Sequence, residues 1–497
     1  MPNNILLINP AINPDSQNRV INKIIIKAVP TSLGVLAGVL IDAKIASVHL
    51  IDEQIDFLKD DDIEKTVLSL HPPRIIGMSV LTINSKRAYA LSGVIKKIDP
   101  KSLVVLGGIH PTVMPFEALS HLGVDIVVRG EGEETFKELV ELVSRKKEFR
   151  TIQGISYREN GNIVHNPERP LIDNLDRIPP FPYYLFERNF NKYSTFGAIF
   201  TSRGCPYNCI FCSSQSISGK RYRYFSTERI ISEIKLLADK YKQKIIFIMD
   251  DNIAGNRQHF FSLLRAIIDS GLHQRTSFQA SLRGDSVNDE LLDMAKAANF
   301  RMLSYGLETG SENLMEIVNK GETVKEVAKA IRMTHEKGIA AAATVIFGLP
   351  TETRKDRWDT IRLVRSLPLS SVRFNTLVPY PGTPAFEILH KENKVIIKKD
   401  WENFAVQYMW EGDCLPYVPE GSTNHKLMFD AMFANLSYYL NLNGIKGMLK
   451  SSFAGGNVIA LKKVWYLSPK TMYRLLRASF YLVRRFLYVT RKMILEK

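Results

Sequence analysis

The sequence predicts an α/β protein with two parallel-sheet domains in tandem and a helical C-terminal region. Short apolar runs alternate with helical patterns over residues 1–150, and the same alternation begins again at Gly197. Five prolines cluster between Asn166 and Pro182, a density that excludes regular helix or central strand. We therefore expect a doubly wound sheet over 1–150, a proline-rich connector over 151–190, a second βα domain over 191–390 and a mainly helical region over 391–497.

The first domain contains five predicted strands, at residues 5–10, 48–52, 75–80, 103–108 and 125–130. Predicted helices cover residues 32–43, 87–98 and 133–144. Continuous β-branched runs separated by helices are typical of a parallel sheet that is covered on both faces. Since ligands of such sheets bind at the carboxyl ends of the strands, the loops that follow these five strands are candidate binding segments.

The second domain contains six predicted strands, at residues 198–202, 244–249, 277–282, 302–306, 341–348 and 372–379. Helical patterns lie between them, as at residues 227–241. Six βα units in about 190 residues favour an incomplete parallel barrel over an open sheet.

The composition excludes several classes of protein. Apolar residues make up 45% and charged residues 24% of the 497 positions, which is typical of a globular chain. The N-terminus lacks a secretory signal pattern, and no run approaches about 18 consecutive apolar residues, so we expect a cytoplasmic protein. The net charge of +15 leaves nucleic acid, an anionic membrane surface and an anionic substrate open as partners.

Three of the four cysteines, Cys205, Cys209 and Cys212, follow the first predicted strand of the second domain directly. Three thiolates on one short loop can bind three irons of a 4Fe–4S cluster and leave the fourth iron open to a small molecule. The alternatives are a zinc site and unliganded thiols. A structural zinc site normally has four ligands, and the remaining cysteine, Cys414, is 202 residues beyond Cys212. We therefore expect an iron–sulfur cluster and interpret Cys414 as a buried thiol.

This cysteine spacing, with Phe211 just before the last cysteine, resembles the signature of radical S-adenosylmethionine (SAM) enzymes. The resemblance implies a partial (βα)6 barrel in which SAM chelates the open iron and is cleaved to a 5′-deoxyadenosyl radical. It also implies SAM contacts at successive strand ends, from Asp250, Asp251 and Glu308. Arg283 ends the third predicted strand, and its charge makes it a candidate for binding the SAM carboxylate. Each of these residues has a structural alternative, such as a helix N-cap or a surface ion pair.

The first domain resembles the cobalamin-binding domain that often precedes radical SAM barrels. The resemblance implies cobalamin contacts from residues at the strand ends, which are Asn9, Ser79, Thr82, Gly107, Gly108, His110 and Glu131. Glycines allow a flat ligand to approach the backbone, and Ser79 and Thr82 can bind a nucleotide tail. The Asp-x-His-x-x-Gly motif that supplies a histidine to cobalt is missing. His110 is in a different loop and is equally compatible with a structural role. The alternative is a domain that binds substrate without cobalamin.

Residues 461–497 contain ten Lys or Arg residues against one acid, and therefore carry +9 of the +15 net charge. Ser468 and Pro469 form a typical helix start. On a helix over 468–497 one sector of about 120° holds the basic residues, which are Lys470, Arg474, Arg477, Arg484, Arg485, Arg491 and Lys492. This pattern predicts a helix that lies on an anionic membrane surface, at the inner face of the membrane. The alternative is a helix packed on the barrel, and nucleic acid is not favoured.

Together these observations predict a cobalamin-dependent radical SAM enzyme that methylates an unactivated carbon of a hydrophobic substrate, such as a lipid or a tetrapyrrole. Such an enzyme needs a one-electron reductant, for example flavodoxin or ferredoxin. One alternative resembles the anaerobic porphyrin-ester cyclases. Another, RNA modification in the manner of methylthiotransferases, is disfavoured because no cysteine precedes Cys205. A cobalamin-binding sensor without catalysis is the non-enzymatic alternative.

Overall fold

The computed structural model describes residues 3–12, 27–406, 408–440 and 469–496 of the chain. Two sheets form its body, and the C-terminal helices pack against the second sheet. Of the predicted C-terminal helix, Ser468 and the side chains of Lys470, Arg474 and Arg477 lie outside the described residues.

The first sheet has seven strands in the order β2-β1-β3-β4-β5-β6-β7. Strands β1 to β5 are parallel, whereas β6 and β7 form an antiparallel hairpin that extends the sheet beyond β5. The strands are β1 Asn3–Asn9, β2 Ala46–Asp52, β3 Ile75–Ser79, β4 Leu103–Gly107, β5 Ile126–Val128, β6 Ile155–Glu159 and β7 Asn162–His165. The hairpin lies within the segment that the sequence predicts as a connector.

Helices cover both faces of the first sheet, because alternate strand residues point to opposite sides. Leu6 and Ile8 of β1 belong to one core cluster, and Ile5 and Leu7 belong to another on the opposite face. The helices of this domain are α1 Thr31–Asp42, α2 Asp60–Ser69, α3 Ser85–Ile98, α4 Ile109–Val113, α5 Pro115–Ser120 and α6 Glu133–Ser144. This arrangement confirms the predicted doubly wound sheet.

The second sheet has six parallel strands in the order β8-β11-β12-β13-β14-β15, and among the described strands β15 does not pair with β8. The strands are β8 Ala198–Ile199, β11 Ile245–Ile248, β12 Ser277–Ser281, β13 Phe300–Glu308, β14 Ala340–Phe347 and β15 Ser371–Thr376. A short antiparallel ribbon, β9 Ser202–Arg203 with β10 Arg223–Tyr224, follows the first strand. The predicted incomplete barrel is confirmed.

The connecting helices of the barrel are α7 Gln215–Ser218, α8 Thr227–Asp239, α9 Arg257–Asp269, α10 Asp289–Ala297, α11 Glu312–Ile317, α12 Val324–Glu336, α13 Arg354–Ser366 and α14 Pro384–Lys391. Short 3₁₀ helices occur at Thr82–Asn84, Leu175–Arg177, Tyr183–Lys192, Leu272–Gln274, Gly284–Ser286, Lys399–Trp401 and Tyr408–Trp410. The C-terminal region adds α15 Asn424–Tyr439 and α16 Pro469–Leu495.

Side chains of α15 bind the free edge of the barrel. Asn435 accepts a hydrogen bond from the backbone N–H of Phe374 at 3.2 Å and donates one to its carbonyl oxygen at 2.8 Å. The hydroxyl of Tyr439 makes the same pair of bonds with the backbone of Val372, at 3.3 and 3.0 Å. Because these side chains satisfy the exposed edge of β15, the sheet ends there without closing into a full barrel.

Candidate functional site

A cavity of about 270 Å³ lies at the carboxyl ends of the strands of the first sheet. Strand β1 pairs with β2 on one side and with β3 on the other, and ligands of doubly wound sheets bind where the strand order reverses in this way. The second domain closes the cavity. Its contribution comes from the start of the barrel and includes Phe200, Ser202, Arg203, Ser218 and Asp251.

Backbone and apolar side chains form most of the wall on the first-domain side. Gly108 has φ of +96° and ψ of −175°, a conformation that only glycine adopts readily. A Cβ atom there would lie 2.7 Å from the carbonyl oxygen of Val80 and 2.8 Å from its nitrogen. A Cβ on Gly107 would meet nothing closer than 3.7 Å. The loop after β4 therefore approaches β3 closely and leaves room on the cavity side.

The structure divides the seven predicted cobalamin residues into two groups. Ser79, Gly107, Gly108 and Glu131 line the cavity, and the hydroxyl of Ser79 is hydrogen-bonded to that of Ser32 at 3.0 Å. The other three do not line it, and they are Asn9, Thr82 and His110. Asn9 donates to the Asp52 carboxylate at 2.9 Å, behind the loop that follows β1.

His110 belongs to a buried hydrogen-bond network of the first domain, and its ring packs edge-on against Trp401 of the C-terminal region. One ring nitrogen lies 3.3 Å from the Thr82 hydroxyl, and the other lies 3.1 Å from both the Tyr89 hydroxyl and the Glu117 carboxylate. Burial opposes ionisation of Glu117, but hydrogen bonds from His110, His121 and Tyr89 outweigh it and lower its pKa to about 2. Both nitrogens of His110 are thus engaged within the protein, which corresponds to the structural interpretation of this residue.

The loop with Cys205, Cys209 and Cys212 leaves the β9 strand and is held at several backbone positions. The N–H of Cys205 donates to the Gly219 carbonyl at 3.2 Å, and the N–H of Cys212 donates to the Cys209 carbonyl at 3.1 Å. Cys205 and Cys209 are half-buried, Cys212 is exposed, and burial raises the pKa of the Cys209 thiol to about 11. The remaining Cys414 is half-buried and lies far along the chain, in the C-terminal region.

The donor set fits an iron–sulfur cluster better than zinc. The loop supplies three thiolates, one fewer than the four ligands of a structural zinc site, and the fourth cysteine, Cys414, lies in the C-terminal region. Zinc requires its ligands to meet at a single ion, whereas each thiolate of a 4Fe–4S cluster binds a different iron. Three cysteines spaced along one anchored loop therefore satisfy the second requirement.

Arg283, predicted to bind the SAM carboxylate, lies against this loop. Its guanidinium stacks on the ring of Tyr207, with 3.6 Å between the guanidinium carbon and the ring centroid. It also donates to the Asp285 carboxylate at 2.7 Å and to the Lys320 carbonyl at 2.6 Å. Most N–H donors of Arg283 are thus engaged within the protein. Tyr207 is a partner that the sequence did not predict.

Glu308 ends β13 and is paired with Lys320, whose ammonium lies 2.7 Å from its carboxylate. Glu308 adopts a φ of +55°, and a Cβ on Gly306 would lie 2.2 Å from the Glu308 carboxylate and 2.5 Å from the Lys320 ammonium. Glycine at 306 therefore makes room for the ion pair. Lys320 is twelve positions beyond Glu308, and the sequence carries no signal for this partner.

Asp250 and Asp251 follow β11 and have different surroundings. Asp250 is buried and accepts bonds from the backbone and hydroxyl groups of Thr201 and Ser202, including one from the Thr201 N–H at 2.6 Å. Burial raises the pKa of Asp250 to about 6. Because these two N–H groups bind a side chain, β8 ends at Ile199, earlier than predicted. Asp251 is exposed and lines the cavity.

The inner face of the barrel combines apolar side chains with one unpaired charge. Tyr305 bonds to Thr334 of α12 and Phe374 packs in the outer core, so the residues that alternate with them face inwards. The apolar members include Phe247, Met249, Met302 and Ile346.

Arg373 of β15 lies on the same inner face. It is in register with Thr344 of β14, and Thr344 is in register with Gly306 of β13. It is exposed and has no hydrogen-bond or ion-pair partner among the described residues. An arginine within a strand has no signature of its own, so the sequence does not predict a role for Arg373.

The structure of α16 shows that the predicted basic sector is partly wrong. Arg485 does not face solvent but is buried, and it donates to the Asp413 carboxylate at 2.9 Å and to the Met409 carbonyl at 3.3 Å. The reason is that α16 packs on the C-terminal region through this side of the helix, where Val489 is also buried. The exposed side carries Phe480, Val483, Leu487 and Ile494 next to Arg484 and Arg491.

None of the described helices, α16 included, combines the length and the apolar character that crossing a bilayer requires.

Comparison with known protein families gives two matches. The model of the radical SAM superfamily matches residues 199–364, and the model of the B12 binding domain matches residues 22–140. An uncharacterized methyltransferase from Pyrococcus horikoshii is 34% identical over 363 residues, which cover 72% of this chain and 78% of the relative. The anaerobic magnesium-protoporphyrin IX monomethyl ester cyclase of Cereibacter sphaeroides is 27% identical, covering 74% of this chain and 61% of the relative.

Among solved structures, the radical SAM methyltransferase TsrM from Kitasatospora setae, with cobalamin and a [4Fe–4S] cluster bound, superposes with a TM-score of 0.70. The two chains are 18% identical, and the superposition covers 99% of this chain and 100% of TsrM. The two proteins share the order of a doubly wound sheet, an incomplete barrel and a C-terminal region.

Proposed function

Since the chain belongs to the radical SAM superfamily and joins its barrel to a B12-binding domain, we propose that it transfers a methyl group to an unactivated carbon. Its cofactors are a 4Fe–4S cluster, SAM and cobalamin. One structural observation supports methyl transfer above all. The cavity of the first domain opens onto Ser202, Arg203 and Asp251, which flank the root of the cysteine loop. The two cofactor sites therefore share a wall, as a reaction that uses both requires.

When bound, the cluster and SAM supply hydrogen abstraction and cobalamin supplies the methyl group. The protein has to place these groups and exclude water. We propose that Cys205, Cys209 and Cys212 bind the three irons. Asp251 and Glu308 are the candidate SAM contacts. Asp251 is exposed in the cavity, and Glu308 ends a barrel strand with Lys320 paired to its Oε1 atom, which leaves Oε2 for a ligand.

Asp250 and Arg283 have a supporting role in this proposal. Asp250 fixes the turn at Thr201 and Ser202, directly before the cysteine loop. Arg283 braces the loop through Tyr207. Their bonds within the protein leave them less free to bind SAM than the sequence analysis expects.

We propose that cobalamin occupies the cavity of the first domain, against Ser79, Gly107 and Gly108. The glycine geometry lets the ligand approach the backbone, and the lining residues that the structure describes include no histidine. His110 supports the loop after β4 from behind. This chain would then leave cobalt without a histidine ligand.

The inner face of the barrel favours an amphipathic substrate. Met249 is a large apolar side chain that is 49% exposed there, and Phe200 is 40% exposed where the barrel meets the cavity of the first domain. Arg373 supplies a guanidinium without a partner among the described residues, and guanidinium binds carboxylate and phosphate strongly. We therefore propose a substrate with an apolar body and one anionic group, such as a lipid acid or a tetrapyrrole with a carboxylate side chain.

The reaction is tested by anaerobic turnover of the reconstituted protein with SAM, cobalamin and a one-electron reductant, using lipid and porphyrin extracts as substrate pools. Flavodoxin and ferredoxin are the proposed physiological reductants. Methylation adds one methylene to the product mass. A product that has lost hydrogens instead supports oxidative ring closure, the second candidate, which the cyclase relative favours.

We further propose that α16 docks on an anionic membrane at its cytoplasmic face. Phe480 is 71% and Leu487 62% exposed, and Arg484 and Arg491 flank this apolar stripe. Such a surface buries its apolar residues at the headgroup boundary while the arginines bind anionic headgroups. A hydrophobic substrate could then reach the barrel from the membrane.

A further inference from the structure

Two arginines of the β9–β10 ribbon converge on one carboxylate of the first domain. Arg203 and Arg223 are opposite each other in the ribbon. Arg203 lies 2.9 Å from one oxygen of Glu131, and Arg223 lies 2.9 Å from the other. Arg203 also bonds to Glu133 at 2.6 Å. Two cations from the barrel thus meet two anions of the first domain, one in the loop after β5 and one at the start of α6.

This four-residue group, Glu131, Glu133, Arg203 and Arg223, is largely withdrawn from water. The Glu131 side chain is 4% and the Arg223 side chain 2% exposed. Burial opposes ionisation of Glu131, but the two arginines outweigh it and lower its pKa. The N–H of Ile172 in the connector donates to Glu131 at 2.8 Å, so three segments of the chain meet at this carboxylate.

The group connects the cavity directly to the cysteine loop. Glu131, Glu133 and Arg203 all line the cavity. Arg203 is two positions before Cys205, and Gly204 between them has φ of +90°. A Cβ on Gly204 would lie 2.2 Å from the carbonyl oxygen of Arg221, so this link packs tightly against the ribbon. Glu131 is therefore linked to the root of the cysteine loop through Arg203 and Gly204.

We infer that Glu131 is a positioning residue which sets the separation between cobalamin and the iron–sulfur cluster through Arg203 and Arg223. The inference rests on the proposed function insofar as both cofactors occupy their assigned sites. It assigns Glu131 a role different from the cobalamin contact that the sequence predicts, because both of its oxygens are already engaged by arginines. Buried ion pairs of this kind fix geometry more effectively than they add stability.

The test uses Glu131→Gln, which keeps the shape and removes the charge, and Glu131→Asp, which keeps the charge. The matched control is Asp56→Asn, which breaks the distant ion pair between Asp56 of the first domain and Lys192, at the end of the 3₁₀ helix Tyr183–Lys192. Each protein is reconstituted with iron, sulfide and cobalamin. The cofactor content is measured first, followed by the electron paramagnetic resonance spectrum with the cluster reduced and cobalt as Co(II).

Magnetic coupling between the two paramagnetic centres falls with the cube of their separation, so the spectrum reports the distance without any substrate. We expect Glu131→Gln to bind both cofactors but to show a coupling that is absent or broadly distributed. Glu131→Asp should restore much of the coupling, and Asp56→Asn should match the wild type. A wild-type spectrum in Glu131→Gln overturns the inference, even if its Tm falls. If Glu131→Gln does not fold, Glu133→Gln removes a single contact and is expected to weaken the coupling partially.

The same samples distinguish this inference from the proposed reaction. If the wild type shows coupling but its product carries no added methyl group, methyl transfer is wrong and the positioning role stands. If the product is methylated but the spectrum of Glu131→Gln equals that of the wild type, the positioning role is wrong and the reaction stands.

Discussion

The cavity of the first domain and the cysteine-loop end of the barrel are built from different kinds of groups. The cavity wall consists mainly of glycines and apolar side chains, and Gly108 fixes its shape. At the barrel end, charged side chains predominate and most are already paired within the chain. Arg283 bonds to Asp285, Glu308 pairs with Lys320, and Asp250 binds Thr201 and Ser202.

This difference indicates which substitutions each region tolerates. A site built from backbone shape is sensitive to an added Cβ atom and insensitive to the loss of a single polar group. A site built from paired charges responds in the opposite way, because removal of one partner leaves the other buried and unsatisfied. Substitutions in the two regions therefore test this contrast.

The largest effect is expected at the cysteine loop. Replacement of Cys205, Cys209 and Cys212 by alanine removes all three thiolate ligands, so the iron content after anaerobic reconstitution should fall from about four per chain to none. Iron analysis and the visible absorption of the cluster measure this directly. Cys414→Ala is the control and should retain the full content. Normal iron in the triple variant would contradict the assignment.

Arg373→Gln should reduce kcat/KM for an anionic substrate about tenfold to a hundredfold. The reason is that a hydrogen bond to a charged group contributes about 1.5–3 kcal/mol. SAM affinity and cluster content should not change. Turnover is compared on the anionic and neutral fractions of the same extract. Arg301→Gln is the control, because Arg301 is also exposed but lies near the amino-terminal end of β13. Equal losses in both variants would refute the substrate contact.

Gly108→Ala should lower the free energy of unfolding by about 1–3 kcal/mol and weaken cobalamin binding, because alanine strains this backbone conformation. Urea unfolding and a cobalamin titration measure the two effects. Gly93→Ala is the matched control, since a Cβ there meets nothing within 4 Å. If Gly108→Ala binds cobalamin as tightly as the wild type, the close approach of β3 and β4 does not shape the site.

Asp250→Asn should change how stability depends on pH. The pKa of Asp250 is about 6 in the folded protein and about 3.9 in an unfolded chain. Between these values the folded state holds a proton that the unfolded state has lost, so wild-type stability falls relative to the variant as pH rises from about 4 to about 6. Above pH 6 the difference should become constant. Parallel profiles of the free energy of unfolding over this range would exclude the effect.

The smallest effect is expected at α16. Leu487→Asp should weaken binding to phosphatidylglycerol vesicles several-fold, because it places a charge in the apolar stripe. Vesicle co-sedimentation at two salt concentrations measures both the apolar and the electrostatic contribution. Leu122→Asp is the control, since Leu122 is 84% exposed in the first domain, outside this helix. Equal binding of the two variants would remove the argument for membrane docking.

The sequence predicted most of the central strands to within two residues, because apolar periodicity is local. It predicted β3 at 75–80, and the structure has Ile75–Ser79. It did not predict the hairpin of β6 and β7, since those strands follow the domain in a segment dominated by nearby prolines. The sequence also did not predict the early end of β8, because that end depends on Asp250, about fifty positions away.

The site was predictable only where its residues are adjacent in the chain. The cysteine loop is one motif, and its position after the first barrel strand was correctly anticipated. The partners that decide the role of each charged residue come from other segments. Tyr207 decides the role of Arg283, and Asp413 explains why Arg485 does not belong to the exposed basic sector. Sequence spacing carries no information on such pairs.

The central claim is that the cavity and the cysteine loop serve one methyl transfer. It is tested most directly by anaerobic turnover with SAM that carries a deuterated methyl group. We predict a product that contains the deuterated methyl group, formed only when cobalamin is present and accompanied by 5′-deoxyadenosine. An unlabelled product that has lost hydrogens, or a labelled product formed equally well without cobalamin, would contradict this account.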